Sequence, residues 1–341
     1  MPLDTSKRVL VTGATGFIGT ALVRRLLAES MQISAATRRK TALQCPAFEV
    51  GEIDSSTDWS CALQGIDTLV HLAAYAHVLD SRRIDHEHMK RVNVEGSANL
   101  ARQAAKAGIR HFVFISSIGA MAEASDRILT ADSRCDPTTA YGKSKRDAES
   151  AIKQEAEAYG MNLTTLRPPL VYGLGNPGNM QRLLRLTRSE IPLPLASVKN
   201  RRSFIYVENL VDLITACLGN PKAFGKTFLP SDGEDVSTPQ LIRAIAHAST
   251  SVEEDRRGKT GNGSAARHAS HVTHHSLRLF PFPATALKAI GRLPGLGALR
   301  KLTSSLYVDS APIRRDLSWT PPFTMEEGLR RTLVIDYSQL D

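Results

Sequence analysis

Short apolar runs alternate with amphipathic stretches over the first half of the chain. Residues 9–11 are Val-Leu-Val, a run typical of a strand buried on both faces of a parallel sheet. Apolar residues then recur at helical spacing from Ala21 to Leu27, which predicts a helix. Further strands are predicted at 31–37, 48–54, 67–74 and 111–117. This order of elements predicts an α/β fold with a doubly wound parallel sheet.

Three glycines follow the first predicted strand at three-residue spacing, at positions 13, 16 and 19. Glycine permits a tight turn and lets a phosphate group approach the backbone. The helix that begins here offers free N–H groups and the positive end of its dipole. Strand, glycine turn and helix together predict a binding site for the diphosphate of a dinucleotide.

The end of the second predicted strand bears on which dinucleotide binds. An acidic residue at this place takes the ribose hydroxyls of NAD. This chain instead has Thr37, Arg38, Arg39 and Lys40, with no carboxylate. A cationic cluster accepts a 2′-phosphate, so the sequence favours NADP(H) over NAD. The alternative is a solvated basic turn that does not contact the 2′ group.

A tyrosine and a lysine open the helix predicted to run to about residue 159. Tyr141 and Lys145 are one turn apart on the same face. An ammonium group at this place is expected to lower the pKa of the phenol, which is ordinarily about 10. Ser116 and Ser117 end the fifth predicted strand, at the sheet edge where ligands bind in open α/β folds. These residues predict a proton relay beside a nicotinamide.

The glycine turn and the tyrosine–lysine pair belong to a longer set of spaced segments. The set comprises residues 12–19, Ser116-Ser117, Tyr141-x-x-x-Lys145, residues 166–173 and residues 201–207. It resembles the extended short-chain dehydrogenase/reductases of the nucleotide-sugar epimerase/dehydratase family. The resemblance covers residues 8 to about 240 and returns at 308–332. It implies that Tyr141 is the general acid/base, Ser117 its partner and Lys145 the residue that holds the nicotinamide ribose.

The resemblance also implies which residues bind the cofactor and the substrate. Glu52 stands where related proteins have an aspartate that binds the adenine amine. The expected cofactor-binding residues are Gly13, Thr15, Gly16, Phe17, Ile18, Gly19, Arg38, Arg39, Glu52, Ile53, Leu72, Ala73, Ala74, Asn93, Ser116, Tyr141, Lys145 and Pro168. Arg202 is expected to clamp the substrate diphosphate, with Ser117 at the sugar. Asn179 either binds the diphosphate or caps the following helix.

The roles of two further residues, His71 and Asn93, do not follow from these motifs. His71 lies within an apolar strand and is expected to be a satisfied core residue. Asn93 falls within a stretch predicted to be helical from 84 to 107, where asparagine has a poor helix propensity. Its side chain either binds a structural water behind the active site or faces solvent.

Two domains are expected. Residues 1–168 form a dinucleotide-binding Rossmann domain, to which 203–229 return, because prolines at 168 and 169 end the sixth strand. Residues 169–202 and 230–341 form a smaller substrate-binding domain. A polar, charged composition predicts a mobile loop at 249–276. Its four histidines, at 268, 271, 274 and 275, lack partnering cysteines or acids, so no metal site is expected.

Composition limits the class of protein and its partners. Hydrophobic residues are 42% and charged residues 23% of the 341, as in ordinary globular proteins. The net charge of +9 suits a phosphate-bearing substrate, and an aromatic content of 6% without a recognition motif argues against nucleic acid. Four scattered cysteines and no long apolar run predict a cytoplasmic protein without a membrane span.

One basic and apolar stretch leaves a second type of partner open. Residues 280–302 form either a helical cover of the substrate domain or a peripheral membrane contact. The resemblance further implies a homodimer.

The resemblance leaves three functions open. Dehydratases of the family have an Asp-Glu pair after the catalytic hydroxyl, and this chain has Ile118-Gly119, so dehydration is disfavoured. We expect hydride transfer at C4 of a UDP-linked sugar, by a 4-keto-hexosamine reductase of surface-polysaccharide synthesis that uses NADPH. The alternative is a 4-epimerase of a UDP-sugar or lipid-diphosphate sugar that retains NAD. The third is a non-catalytic dinucleotide-sensing protein.

Overall fold

The fold was analysed in a computed structural model that describes residues 5–76, 85–176, 180, 183–184, 187, 192–259, 279–291 and 297–337. Its strands are β1 (Arg8–Thr12), β2 (Gln32–Thr37), β3 (Ala47–Glu49), β4 (Thr68–His71), β5 (His111–Ile115), β6 (Asn162–Leu166), β7 (Leu170–Tyr172), β8 (Arg202–Tyr206), β9 (Thr227–Phe228) and β10 (Asp235–Val236). Seven of them form a parallel sheet in the order β3-β2-β1-β4-β5-β6-β9. The doubly wound parallel sheet expected from the sequence is therefore confirmed.

The strand order reverses between β1 and β4. β1 pairs with β2 on one side and with β4 on the other, all in parallel register. Chain connections run away from this point in opposite directions, which opens a crevice at the carboxyl ends of the two strands. The glycine turn that follows β1 lies at this crevice.

Helices cover both faces of the sheet. The bounds are α1 (Phe17–Ala28), α2 (Ser60–Leu63), α3 (His86–Lys90), α4 (Ser97–Lys106), α5 (Ala140–Tyr159), α6 (Val207–Cys217), α7 (Thr238–Lys259), α8 (Ala284–Ile290), α9 (Gly297–Thr303), α10 (Ala311–Leu317) and α11 (Met325–Tyr337). Leu22 of α1 and Leu210 of α6 are in the apolar core on one face. Leu100 of α4 and Ile152 of α5 are in the core on the other. The result is a three-layer α/β/α domain.

A second, smaller sheet starts where the prolines end the first. β7 begins at residue 170, directly after Pro169, and joins β8 and β10 in a three-stranded sheet. β8 therefore belongs to this second sheet, and the return to the main domain begins with α6 rather than at residue 203. β9 completes the return, since it pairs with β6 in the main sheet.

The predicted mobile loop is partly helical. α7 continues to Lys259, so the stretch from 249 to 259 is helix and not loop. Val252 is buried, and α7 packs against α11. The remaining loop residues, the four histidines and Asn179 lie outside the described residues. No helix in the described part of the chain has the length and hydropathy to cross a membrane.

Candidate active site

Two glycines at the turn between β1 and α1 stand where a side chain would not fit. Gly13 has a φ of +69°, and a Cβ there would lie 2.7 Å from the backbone nitrogen of Ala73. A Cβ on Gly19 would collide with the carbonyl oxygen of Gly13. Phe17, Ile18 and Gly19 form the first turn of α1. The backbone N-terminus of α1 thus faces the crevice, with the geometry that favours a bound diphosphate.

A cavity of about 310 Å³ extends from this turn along the ends of β1, β2 and β4. Nine of the expected cofactor residues line it: Gly13, Thr15, Gly16, Arg38, Glu52, Ile53, Leu72, Ala73 and Ala74. Thr37, at the predicted end of the second strand, also lines it, and the lining residues that the sequence did not point to are Ala36, Val50, Gly51, Tyr75, His88 and Val92. The cavity joins the glycine turn to the end of β2, so its place and lining fit the adenosine half of a dinucleotide.

Arg38 and Glu52 are the charged side chains among the described residues that line this cavity. Arg38 is exposed and lines the cavity, whereas Arg39 is exposed and is not part of the lining. Glu52 lies 3.5 Å from Nε2 of His88. The ring of His88 makes an edge contact with Tyr75, at 4.6 Å between ring centroids. No sequence signal pointed to His88 or Tyr75, because α3 and the loop after β4 meet only in the folded chain.

The helix that carries Tyr141 and Lys145 begins at a capped end. Thr139 is its N-cap, and its Oγ1 accepts a hydrogen bond from the backbone nitrogen of Gly142 at 3.1 Å. Lys145 is buried, and its Nζ donates to the carbonyl oxygen of Ile115 at 2.8 Å. The same Nζ lies 4.5 Å from the ring centroid of Phe114. Lys145 is thereby fixed to the end of β5.

The proton affinities of the pair differ from the expectation. Burial raises the pKa of Tyr141 to about 12, so the prediction that Lys145 lowers it is wrong for the protein without a cofactor. Burial also lowers the pKa of Lys145 to about 8, an effect that the charge of Glu149 opposes. Both pKa values shift because the two side chains are removed from water. The ammonium of Lys145 donates its hydrogen bond to the carbonyl oxygen of Ile115. Tyr141 is consequently protonated at neutral pH in the protein without a cofactor.

The two serines after β5 have different environments. Ser117 is partly exposed and caps a short 3₁₀ turn, since its Oγ accepts from the backbone nitrogen of Gly119 at 3.1 Å. Ser116 is buried, and among the described residues its Oγ has no hydrogen-bond partner. A buried hydroxyl without a partner is costly, and a polar group of a bound cofactor would relieve that cost. The unpartnered hydroxyl and the glycines of the turn, at which a side chain would not fit, both suit a dinucleotide.

Backbone hydrogen bonds fix the loop that carries the serines. The backbone nitrogen of Ser116 donates to the oxygen of Leu166, and that of Ile118 donates to the oxygen of Pro168 at 2.9 Å. Pro168 is buried and contributes its carbonyl at the edge of the site. The end of β6 therefore supports the loop that carries Ser117.

Asn93 holds two parts of the site together. The predicted single helix is interrupted by a π-helical turn over Arg91–Gly96, a feature often found at functional sites. Within it Asn93 is buried; its Oδ1 accepts from the nitrogen of Tyr75 at 2.7 Å, and its Nδ2 donates to Oγ of Ser144 at 3.0 Å. The side chain therefore does not face solvent. It ties the loop after β4 to α5.

His71 is a core residue, as expected. It is buried between Oγ1 of Thr12, at 2.7 Å, and Oγ of Ser97, at 2.8 Å. Burial and, to a smaller extent, the charge of Lys145 lower the pKa of His71 to about 3. The ring is thus neutral in the folded protein.

Arg202 lies on β8, away from the dinucleotide cavity. Its guanidinium donates to the carbonyl oxygens of Lys301, at 2.9 Å, and Ser304, at 3.2 Å, near the end of α9. No carboxylate pairs with it in the described part of the chain, whereas its neighbour Arg201 pairs with Asp235 at 2.9 Å. Burial lowers the pKa of Arg202. An arginine without a carboxylate partner is suited to bind an anion.

A second cavity of about 190 Å³ adjoins Arg202. Its walls are mainly apolar, and the lining residues are Leu170, Met180, Leu183, Arg202, Phe204, Thr238, Leu241, Ala298, Lys301 and Leu302. Two cations beside an apolar wall suit a diphosphate that carries a less polar group.

Comparisons with known proteins agree with this geometry. The model of a family described as "NAD dependent epimerase/dehydratase family" matches residues 9–229. A Vibrio cholerae protein named UDP-glucose 4-epimerase is 36% identical over 334 residues, which cover 96% of this chain and 94% of that protein.

The names of two less similar relatives refer to other substrates. A Mycobacterium tuberculosis protein named 3 beta-hydroxysteroid dehydrogenase/Delta 5-->4-isomerase is 27% identical, over 96% of this chain and 89% of its own length. An Escherichia coli O157:H7 protein named N-acetyl-alpha-D-glucosaminyl-diphospho-ditrans,octacis-undecaprenol 4-epimerase is 25% identical, over 96% of this chain and 95% of its own length.

Solved structures share the fold. A short-chain dehydrogenase/reductase superfamily protein from Agrobacterium tumefaciens, with bound NAD, has a TM-score of 0.74 at 20% identity, covering 98% of each chain. A UDP-glucose 4-epimerase from Thermotoga maritima, with UDP-glucose, has a TM-score of 0.72 at 20% identity, covering 98% of this chain and all of its own.

Proposed function

The chain belongs to the NAD-dependent epimerase/dehydratase family, and we propose that it is a 4-epimerase of a diphosphate-linked hexose that retains its NAD. The observation that carries this proposal is the 36% identity to the Vibrio cholerae UDP-glucose 4-epimerase over nearly the whole length of both proteins. It favours the epimerase alternative over the expected 4-keto-hexosamine reductase. Membership of this family of NAD(P)-dependent enzymes also argues against a non-catalytic sensor.

The chain's own residues would hold both halves of the dinucleotide. The glycine turn and the N-terminus of α1 would bind the diphosphate, and Arg38 and Glu52 would lie at the adenosine. Ser116 and Lys145 would lie on the nicotinamide side. When bound, the cofactor supplies an acceptor for the C4 hydride and later returns it.

Tyr141 would move the proton in both half-reactions. Its phenol oxygen would take the C4 hydroxyl proton as the hydride leaves C4, and would return that proton when the ketone is reduced on its opposite face. Ser117 would donate a hydrogen bond to the same sugar oxygen. With the cofactor bound, the ammonium of Lys145, held by Ile115, would stabilise the phenolate form of Tyr141 that accepts this proton. No net oxidation or reduction of the sugar results.

The substrate would present a diphosphate to Arg202. Both UDP-sugars and polyprenyl-diphosphate sugars have this group, and the named relatives include an epimerase of each kind. Arg202 and Lys301 would bind the diphosphate, and the apolar wall of the second cavity would contact the carrier. The reaction at C4 would be the same for either carrier.

A 4-keto-sugar reductase is the second candidate, and one observation favours it. Arg38 lines the adenosine cavity at the end of β2, where no carboxylate is present to bind the hydroxyls of an NAD ribose. This charge suits the 2′-phosphate of NADPH, which a reductase consumes and an epimerase does not. We therefore propose NADP(H) as the preferred dinucleotide only if the reductase function holds.

One assay separates the two candidates. Purified protein is incubated with UDP-glucose, with UDP-N-acetylglucosamine and with the corresponding polyprenyl-diphosphate sugar, and the products are analysed by NMR. Formation of the C4 epimer without a net change in nicotinamide absorbance supports the epimerase. Stoichiometric loss of NADPH with a UDP-4-keto-sugar supports the reductase. Failure on all of these substrates overturns both proposals.

A further inference from the structure

A buried ion pair lies behind the tyrosine–lysine pair and takes no part in the mechanism described above. Glu149 of α5 accepts three hydrogen bonds from Arg167, from Nε at 3.0 Å to Oε1 and 3.2 Å to Oε2, and from Nη2 at 2.6 Å to Oε2. The two side chains are only 11% and 10% exposed. Arg167 directly follows β6, so the pair joins α5 to the carboxyl end of this strand of the main sheet.

Glu149 stands one helical turn beyond Lys145. Tyr141, Lys145 and Glu149 therefore lie along one face of α5 at four-residue spacing. The pair Glu149–Arg167 is rigid because both charges are buried and the contact is bidentate. The carboxylate is consequently held at a fixed place relative to the ammonium.

We propose that Glu149 is a positioning residue that keeps the buried Lys145 ammonium charged, and that Arg167 holds the Glu149 carboxylate in place for this purpose. The effect on the charge of Lys145 is independent of the substrate. Its consequence for catalysis rests on the proposed function.

The surroundings of Lys145 explain why it needs an anion. On β5 its ammonium contacts the carbonyl oxygen of Ile115 and the ring face of Phe114, neither of which has a net charge. From β4 it faces His71, which is neutral, and on its own helix it faces the protonated phenol of Tyr141. Among the described residues, Glu149 is the acidic group whose charge acts on Lys145.

Stability alone is a weak reason for this ion pair. The cost of removing two charges from water often exceeds their attraction, and apolar pairs of similar volume often serve a fold as well or better. This pair has a further effect, because its negative member stands on the same helix one turn from the buried ammonium and its charge acts on Lys145. Long-range electrostatic support of Lys145 gives the pair a role that an apolar pair would not have.

The expected consequence is a shift in the pH dependence of the reaction. Burial lowers the pKa of Lys145 to about 8, and Glu149 opposes this effect. Without the carboxylate, Lys145 loses its proton at a lower pH. The alkaline limb of the rate profile then moves to lower pH by about one unit, and the rate on that limb falls about tenfold.

Two single variants break the same ion pair. They distinguish an electrostatic effect of Glu149 on Lys145 from a purely structural role of the pair. In Glu149→Gln the carboxylate charge is lost, so the alkaline limb should move to lower pH and the rate should recover as the pH is lowered. In Arg167→Met the carboxylate remains, so the limb should stay in place or move to higher pH, although the protein loses the same contact. If both variants lower the rate equally at every pH and leave the limb in place, the proposal is wrong.

A double variant guards against misfolding. Glu149→Gln with Arg167→Met leaves no unpaired buried charge, and such neutral replacements are often tolerated. It should shift the limb as Glu149→Gln does. If the folded double variant has the limb of the native protein, Glu149 does not act on Lys145.

A direct titration distinguishes a failure of this inference from a failure of the proposed function. The side-chain resonances of Lys145 are followed by NMR against pH in isotopically labelled protein without cofactor or substrate. The midpoint should be lower in the double variant than in the native protein. Equal midpoints overturn the inference whatever reaction the enzyme catalyses.

Discussion

The ammonium of Lys145 donates a hydrogen bond to the carbonyl oxygen of Ile115, at 2.8 Å. This contact fixes α5 to the last residue of β5. Ser116 and Ser117 follow that residue directly, and Tyr141 lies one turn before Lys145. This hydrogen bond helps to place the proposed acid/base relative to the serines and to the crevice.

Replacement of Tyr141 by Phe should remove the proton donor and leave the fold intact. The rate should fall about 10²- to 10⁴-fold, the usual contribution of general acid–base catalysis. Binding of the dinucleotide, measured by calorimetry, should change little. Tyr159→Phe at the exposed far end of the same helix is the control and should retain full activity. Equal activity of the two variants would rule out Tyr141 as the acid/base.

Replacement of Arg202 by Met should weaken binding of the diphosphate-linked sugar. Charged hydrogen bonds of this kind contribute about 1.5–3 kcal/mol, so KM should rise roughly ten- to a hundredfold. Arg201→Met is the matched control, because Arg201 already pairs with Asp235. Arg202 also binds the end of α9, so the thermal unfolding of both variants is measured alongside. An unchanged KM for Arg202→Met, at unchanged stability, would contradict its proposed role.

Replacement of Arg38 by Glu tests the 2′-phosphate site. A carboxylate at the cavity should repel the phosphate and accept the ribose hydroxyls of NAD, so the ratio of Kd values should shift toward NAD. Titration of the protein with each dinucleotide measures this ratio. The neighbouring variant Arg39→Glu should have a smaller effect, since Arg39 does not line the cavity. Identical ratios in native protein and Arg38→Glu would show that Arg38 does not read the 2′ group.

The protein should lose stability as the pH falls below about 6.5, in part through His71. The pKa of this histidine is about 3 in the fold, below its value of 6.5 in the unfolded chain, so acid protonates the unfolded state first. Its stabilising contribution is complete above pH 6.5 and is lost as the pH falls toward 3. Between pH 7 and pH 5 the loss is about 2 kcal/mol.

Urea unfolding at the two pH values measures this loss. His111, whose pKa burial lowers to about 4, adds an effect of the same sign. His71→Asn should therefore reduce the pH dependence without abolishing it, and His247→Gln at an exposed position should leave it unchanged. The same pH dependence in all three proteins would contradict the burial of a neutral His71.

The local features of the site could be predicted from the sequence. The strand, the glycine turn and the helix are encoded in neighbouring residues, as are Tyr141 and Lys145 at one-turn spacing. The prolines after β6 likewise predicted the point where the main sheet ends, because proline cannot continue a ladder of hydrogen bonds.

Features that depend on distant contacts could not be predicted. The pattern did not reveal that Asn93 spans from Tyr75 to Ser144, since the three residues belong to separate segments. The rise in the pKa of Tyr141 could not be predicted, because it is caused by burial, which is a property of the folded site. The polar composition after residue 249 predicted a loop, although the helix continues to Lys259 and packs against α11.

The central claim is that the hydride leaves C4 and returns to C4 of the same sugar. A substrate deuterated at C4 is incubated with the enzyme in the presence of excess unlabelled NADH, and the epimeric product is examined by mass spectrometry and NMR. Our account predicts that the product retains deuterium at C4 and that the free NADH gains none. A product that carries hydrogen at C4, with deuterium in the nicotinamide pool or with NADH consumed, would contradict it.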